Sequence, residues 1–167
     1  MAVKKILLLG NPKLYEVCRP ILQNDLEEVQ KVVEDLHDTL IDFRKRNNAG
    51  RAIAAPQIGF MKRLIYMNVE NKPIVFINPI IDIMSAEMFE LWDDCMSFPD
   101  ILVKVKRHKK CHVTFRDSDW NSQSINFEDS LSELIQHEVD HLNGILAVSR
   151  AIDEKSFALK SQKEFLK

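Results

Sequence analysis

The stretch from Gln136 to Gly144, Gln-His-Glu-Val-Asp-His-Leu-Asn-Gly, limits the architecture of this chain more than any other. His137 and His141 lie one above the other only on a helix, and Glu138 then sits on the edge of the same face. A catalytic divalent metal typically takes three protein ligands and keeps one position for water. The chain therefore has to supply a helix that stops near Gly144 and a third ligand from elsewhere.

The hydrophobic pattern supplies the frame. Leu26, Val29, Val33, Leu36, Leu40 and Phe43 recur at three- and four-residue steps behind Asn24 or Asp25 as cap, which predicts a long amphipathic helix. The period then changes. The runs at 63–69, 73–81 and 101–105 are β-branched or aromatic, and 111–117 alternates Cys111, Val113 and Phe115 with polar residues. These read as strands in antiparallel arrangement. The histidine helix follows, with Ser130 and Glu133 in capping-box spacing. Helix, strands and helix predict an α+β fold, with antiparallel sheets packed around a C-terminal HExxH helix and a long N-terminal helix. A short C-terminal helix is expected over 153–167. Met61, Met67, Met84 and Met88 are expected in the core or at its rim.

Bulk properties narrow the function classes. At 167 residues and 46% hydrophobic, the chain is the size of one domain, 1–167, with one sizeable core. A net charge of -2 argues against a surface devoted to nucleic acid, and the basic run Lys104–Lys110 reads as a solvated strand-and-turn face. The first ten residues contain only a short apolar run, Ile6–Leu9, too short for a signal-peptide core or a membrane span. Cys18, Cys95 and Cys111 are an odd number without CxxC spacing, as expected of free thiols in a reducing, cytosolic setting.

The third ligand can be narrowed by exclusion. A metzincin-type protease needs a histidine at position 147, where this chain has Ala147, and the acids after His141 belong to a charged tail. A soft thiolate suits Zn(II) or Fe(II) beside two imidazoles. Cys18 sits in a charged stretch and Cys111 alternates with strand hydrophobes, which leaves Cys95, in the loop-like Trp92–Pro99 stretch.

Gln136, His137, Glu138, Asp140, His141 and Gly144 match the QHExDHxxG motif of the peptide deformylases. The segment Asp93–Ser97 resembles their EGCxS motif, and Gly50–Gln57 resembles GxGxAAPQ. The three motifs occur in family order, and the resemblance runs from near the start to about Asp153. It implies removal of the N-formyl group from formyl-methionyl peptides or nascent chains, with release of formate. The metal ligands would be Cys95, His137 and His141, with Glu138 as acid/base. Gln57 and the Met96 backbone N–H would stabilise the oxyanion. Gly50, Arg51, Ala52 and Asp94 would line the substrate cleft, and Arg107 would contact substrate. The metal implied is Fe(II), with Zn(II) or Ni(II) as alternatives, in a bacterial-type cytoplasm or an organelle, with the ribosome as a partner. No membrane and no direct nucleic-acid reading are expected. A catalytically weak homologue that binds formyl-peptides or metal, or a zinc endopeptidase, would carry many of the same residues.

Three positions depart from the family motifs. Ala52 and Asp94 replace glycines, which predicts backbone strain at Ala52 and a slower enzyme. Asp93 replaces a glutamate and, one methylene shorter, is expected to fall short of the partner that holds the motif in place.

Overall fold

The structure is a computed structural model and describes residues 2–166. The first helix, α1, spans Leu26–Asn47, and its three- and four-residue apolar steps bury Val29, Leu36, Leu40 and Phe43 on one stripe. Neither Asn24 nor Asp25 caps it through a side chain; both belong to a 3₁₀ turn, Gln23–Asp25, in which Asp25 accepts the Leu22 N–H at 2.8 Å. Glu27 and Glu28 in the first turn and Arg44, Lys45 and Arg46 in the last complement the helix dipole. The helix ends at Asn48, in the left-handed region, and Gly50 follows at φ +113°. A Cβ on Gly50 would lie 3.2 Å from the Leu40 Cδ1 atom, so glycine lets the chain fold back tightly over α1.

The strands are β1 (Ala52–Ala54), β2 (Leu64–Val69), β3 (Lys72–Met84), β4 (Met88–Asp94), β5 (Ile101–His108), β6 (Lys110–Arg116), β7 (Ser122–Glu128) and β8 (Phe157–Leu159). They form a five-stranded sheet, β1-β2-β3-β6-β7, and a three-stranded sheet, β4-β5-β8, with antiparallel pairing throughout. The second helix, α2, spans Asp129–Leu142. The α+β architecture expected from the sequence is the one observed.

Alternation along β2 shows how the layers meet. Leu64 and Tyr66 pack towards α1 with Leu36, Leu40 and Ile53, whereas Ile65 and Met67 pack towards α2 with Phe76, Val113, Ile135 and Leu142. The three-stranded sheet closes the other side, with Val103 and Val105 against Cys95, Phe98 and Leu146. Helix α2 is thus enclosed, and every side chain from Ser132 to Leu142 is buried. Full burial of a residue such as Ile135 or Leu142 contributes roughly 1.5–3 kcal/mol. That fixes the helix, and with it the histidines, in one rotational setting.

Several details differ from expectation. The tail forms no α-helix: Phe157–Leu159 pairs with Ile101–Val103 of β5, and the short helix expected over 153–167 is a 3₁₀ helix confined to Lys160–Phe165. The Ser130–Glu133 capping box does not form, because α2 begins at Asp129 without a side-chain cap and Glu133 is ion-paired elsewhere. Met67 is core, but Met84 and Met88 are exposed. Gly144, at φ +70°, does stop the helix region; a Cβ there would lie 2.5 Å from the Tyr15 carbonyl oxygen, so glycine lets the N-terminal segment pass close by.

Candidate metal centre

Helix α2 places the two imidazoles face to edge, with His137 Nε2 and His141 Nε2 3.2 Å apart. The Cys95 Sγ atom, one residue beyond the end of β4, lies 3.3 Å from His141 Nε2. These three ligand atoms all lie within 4.8 Å of one another, and all three residues are buried. Burial disfavours charge on both rings; Asp93 and Cys95 oppose this at His137 and hold it well above the ordinary histidine range. At His141 burial and the charge on His137 act together and push it well down. Two imidazoles in this contact cannot both be protonated, and a soft divalent cation between them and a sulfur satisfies all three donors.

The sulfur is also oriented. The Ser97 N–H donates to it at 3.4 Å and the Gln57 amide at 3.6 Å, while the other Gln57 contacts, Ala54 N–H to Oε1 at 2.9 Å and Nε2 to Ser97 Oγ at 3.1 Å, fix the glutamine itself. Ser97 was not singled out by the sequence reading, although it lies inside the matching Asp93–Ser97 motif.

Asp93 overturns the expectation that its short side chain falls short. One oxygen, Oδ2, accepts from His137 Nδ1 at 3.0 Å and from Arg107 at 3.1 Å. Burial alone would raise the Asp93 carboxyl, but the facing His137 and Arg107 outweigh it and hold it below the usual carboxylate range. An anionic Asp93 holds one proton of His137 on Nδ1, so that loss of the other proton to an incoming cation would free Nε2 as a ligand.

Arg107 requires a correction. Its guanidinium is 3% exposed and bound by Asp93 and by Asp140, the latter at 2.5 Å, and it does not line the cleft. Two buried carboxylates draw it inward, so its place is behind the ligands rather than against substrate. Asp140 in turn takes two bonds from Arg150, both at 2.6 Å.

The cleft beside the ligands encloses about 50 Å³ and is walled by Gly50, Arg51 and Ala52 on one side, Asp94 and Met96 on another, and Glu133, His137 and Glu138 of α2. Arg44 braces the first wall through bonds to the Gly50 and Asn68 carbonyls. Arg51 reaches across to an ion pair with the buried Glu133, which the sequence marked as a capping-box residue and not as part of the site. Burial pushes the Glu138 carboxyl up to about 7, and its Oε2 atom has no hydrogen-bond partner among the described residues. Neither Ala52 nor Asp94 has positive φ, so the expected backbone strain at Ala52 is absent. Asp94 is half exposed, with Lys160 Nζ 3.9 Å away.

Known proteins resemble this chain in sequence and in fold. The sequence profile described as polypeptide deformylase matches residues 3–157. A peptide deformylase of Dictyoglomus thermophilum is 36% identical over 145 residues, covering 85% of this chain and 94% of that protein. The crystal structure of the Thermotoga maritima peptide deformylase superposes with a TM-score of 0.84 at 30% identity, over 92% of this chain and 100% of that one. A Met-Ala-Ser-bound class I type b peptide deformylase from Acinetobacter baumannii superposes with a TM-score of 0.82 at 30% identity, over 89% of this chain and 98% of that one. This chain belongs to the polypeptide deformylase family.

Proposed function

We propose that Cys95, His137 and His141 hold the divalent cation of a peptide deformylase, and that Glu138 moves the proton in hydrolysis of the N-formyl group of formyl-methionyl peptides. The observation that carries this reading is the convergence of three ligand atoms within 4.8 Å beside a buried carboxyl. When bound, the cation supplies a water nucleophile near neutral pH and polarises the formyl oxygen. Glu138, with a carboxyl near 7, accepts the proton of the attacking water. The C–N bond then breaks, and the same proton goes to the departing amine, which leaves poorly without it. The products are formate and a free amino terminus. Gln57, whose amide donates to Ser97 Oγ and to Cys95 Sγ, would turn the N–H now on the sulfur to the oxyanion, together with the Met96 backbone N–H.

The donor set of one thiolate and two imidazoles suits Fe(II), with Zn(II) or Ni(II) as substitutes. The reading takes 1–167 as one catalytic domain acting on nascent chains in a bacterial-type cytoplasm or an organelle, with the ribosome as a partner. No helix among the described residues is long and apolar enough to cross a membrane. The tripeptide held by the Acinetobacter neighbour supports a methionine-first peptide as ligand. Anaerobically purified, metal-loaded protein should release formate stoichiometrically from formyl-Met-Ala-Ser. A protein with one bound metal and no formate release would overturn the reading.

The absence of strain at Ala52 changes what the motif departures are expected to do. The double variant Ala52→Gly/Asp94→Gly removes one methyl from the cleft wall and one solvent-screened charge, so kcat/KM should stay within about threefold of native at equal metal loading. A tenfold gain, about 1.4 kcal/mol of transition-state stabilisation, would show instead that these side chains restrict the cleft.

A further inference from the structure

Behind α2, on the face turned away from the metal ligands, lies a second cavity of about 360 Å³. It shares no lining residue with the cleft. Gln136, Val139, Asp140 and Asn143 line it, whereas Glu133, Leu134, His137 and Glu138 line the cleft. Its volume falls within the range usual for small-molecule sites, roughly 300–1,000 Å³.

One side of this cavity is cationic, with Arg63, Lys106, Arg107 and Arg150. Asp140 is the sole carboxylate in the lining, and Asp93 reaches Arg107 from behind. Four cations therefore face two carboxylates. Arg63 donates only to neutral acceptors: the Leu142 and Pro79 carbonyls and Asn143 Oδ1. The cross-strand neighbour of Lys106 is Glu90, and Glu90 is taken by Lys104 at 3.3 Å, so Lys106 has no carboxylate partner among the described residues. Arg107 adds an independent sign. It is 3% exposed, yet its Nε–H is buried without an acceptor among the described residues. A buried guanidinium donor left unpaired is costly, and an anionic acceptor removes that cost.

The other side is apolar. Ile80, Ile81, Met84 and Met88 line it, and Ile80 and Met84 are 59% and 49% exposed. Met84 and Met88 are two of the four methionines expected in the core or at its rim, and both are exposed. An inorganic anion would satisfy the cations and leave this apolar surface in water. A hydrocarbon would cover the surface and leave the cations unmatched.

We propose that this cavity binds a small organic anion with an apolar body, its carboxylate held by Arg63, Lys106 and Arg107 and its hydrocarbon laid on Ile80, Met84 and Met88. The site is separate from the metal centre, and the proposal stands whether or not the chain deformylates peptides. Arg-carboxylate pairing supplies direction and the methionines supply an adaptable apolar surface.

The test uses octanoate as probe and Zn-loaded full-length protein carrying methyl-labelled methionine, because Met84 and Met88 report this cavity and Met96 reports the metal cleft. Octanoate should shift the Met84 and Met88 methyl signals saturably before Met96 responds. Octanamide, which has the chain without the charge, and inorganic phosphate, which has the charge without the chain, should each bind at least about tenfold more weakly. Lys106→Ala should weaken octanoate by about fivefold or more while leaving formate release unchanged, since Lys106 is exposed and has no carboxylate partner among the described residues. Three results would overturn the proposal: Met96 shifting first, native affinity in Lys106→Ala, or no saturation at Met84 and Met88. Phosphate binding as tightly as octanoate would also overturn it, by showing that the apolar wall takes no part.

Discussion

The Glu138→Gln protein should keep its metal at native stoichiometry and lose two to four orders of magnitude in kcat, roughly the span associated with a positioned acid/base. Glutamine has nearly the same shape, and Glu138 makes no contact that holds a metal ligand, so the change removes proton transfer alone. The unpartnered, buried Oε2 atom is the reason to expect the whole loss at this residue. Of the other carboxylates lining the cleft, Asp94 is half exposed beside Lys160, and the remaining two are engaged. Asp93 is occupied by His137 and Arg107, and Glu133 by Arg51. Cys95→Ala should do the reverse and lose the metal itself, whereas Cys18→Ala and Cys111→Ala should retain it, because those thiols pack in the core away from the histidines. Elemental analysis and formate release on all four variants separate the two roles. Near-native turnover in Glu138→Gln at full metal loading would mean that another group moves the proton.

How much of this was legible in the sequence depends on the distance over which each residue is satisfied. Helix α1 and strands β2, β3, β5 and β6 could be read because their signals are local periods. The strand β4 could not, since Asp93 occupies an inward position where an apolar residue is expected and made Trp92–Pro99 look like a loop. Its carboxylate is tolerated inside only because Arg107 and His137 meet it there, and no local pattern announces that. Strand β7 is mostly polar and exposed, with Phe127 its one buried residue. The tail strand β8 exists through pairing with β5, a contact far apart in sequence. Ser130 and Glu133 had capping-box spacing, but Arg51 from across the cleft claims the glutamate. The clustering of Cys95 with His137 and His141 was legible because two of the three are held by one helical turn. Arg107 was misplaced because motif likeness gives a residue's neighbourhood without the direction of its side chain.

That direction makes Arg107 the position where a single change should cost the most stability. In Arg107→Met the apolar stem is retained and the charge is lost. Asp140 keeps its two bonds to Arg150, but Arg150 is partly exposed and compensates it incompletely. Asp93 keeps only His137. Removing one partner from a buried ion pair leaves an uncompensated charge and costs about 3–5 kcal/mol. Urea unfolding at fixed metal concentration should show that loss, and metal affinity should fall about 10–100-fold as the support behind His137 loosens. Arg107→Lys should recover part of the stability, because one ammonium restores the charge but cannot reach two carboxylates as a planar fork does. In Arg107→Met/Asp140→Asn the loss should be smaller than the sum of the single changes, since the second change removes a carboxylate that the first left short of a partner. A loss below about 1 kcal/mol in Arg107→Met, with native metal affinity, would show that Asp93 and Asp140 are compensated without it.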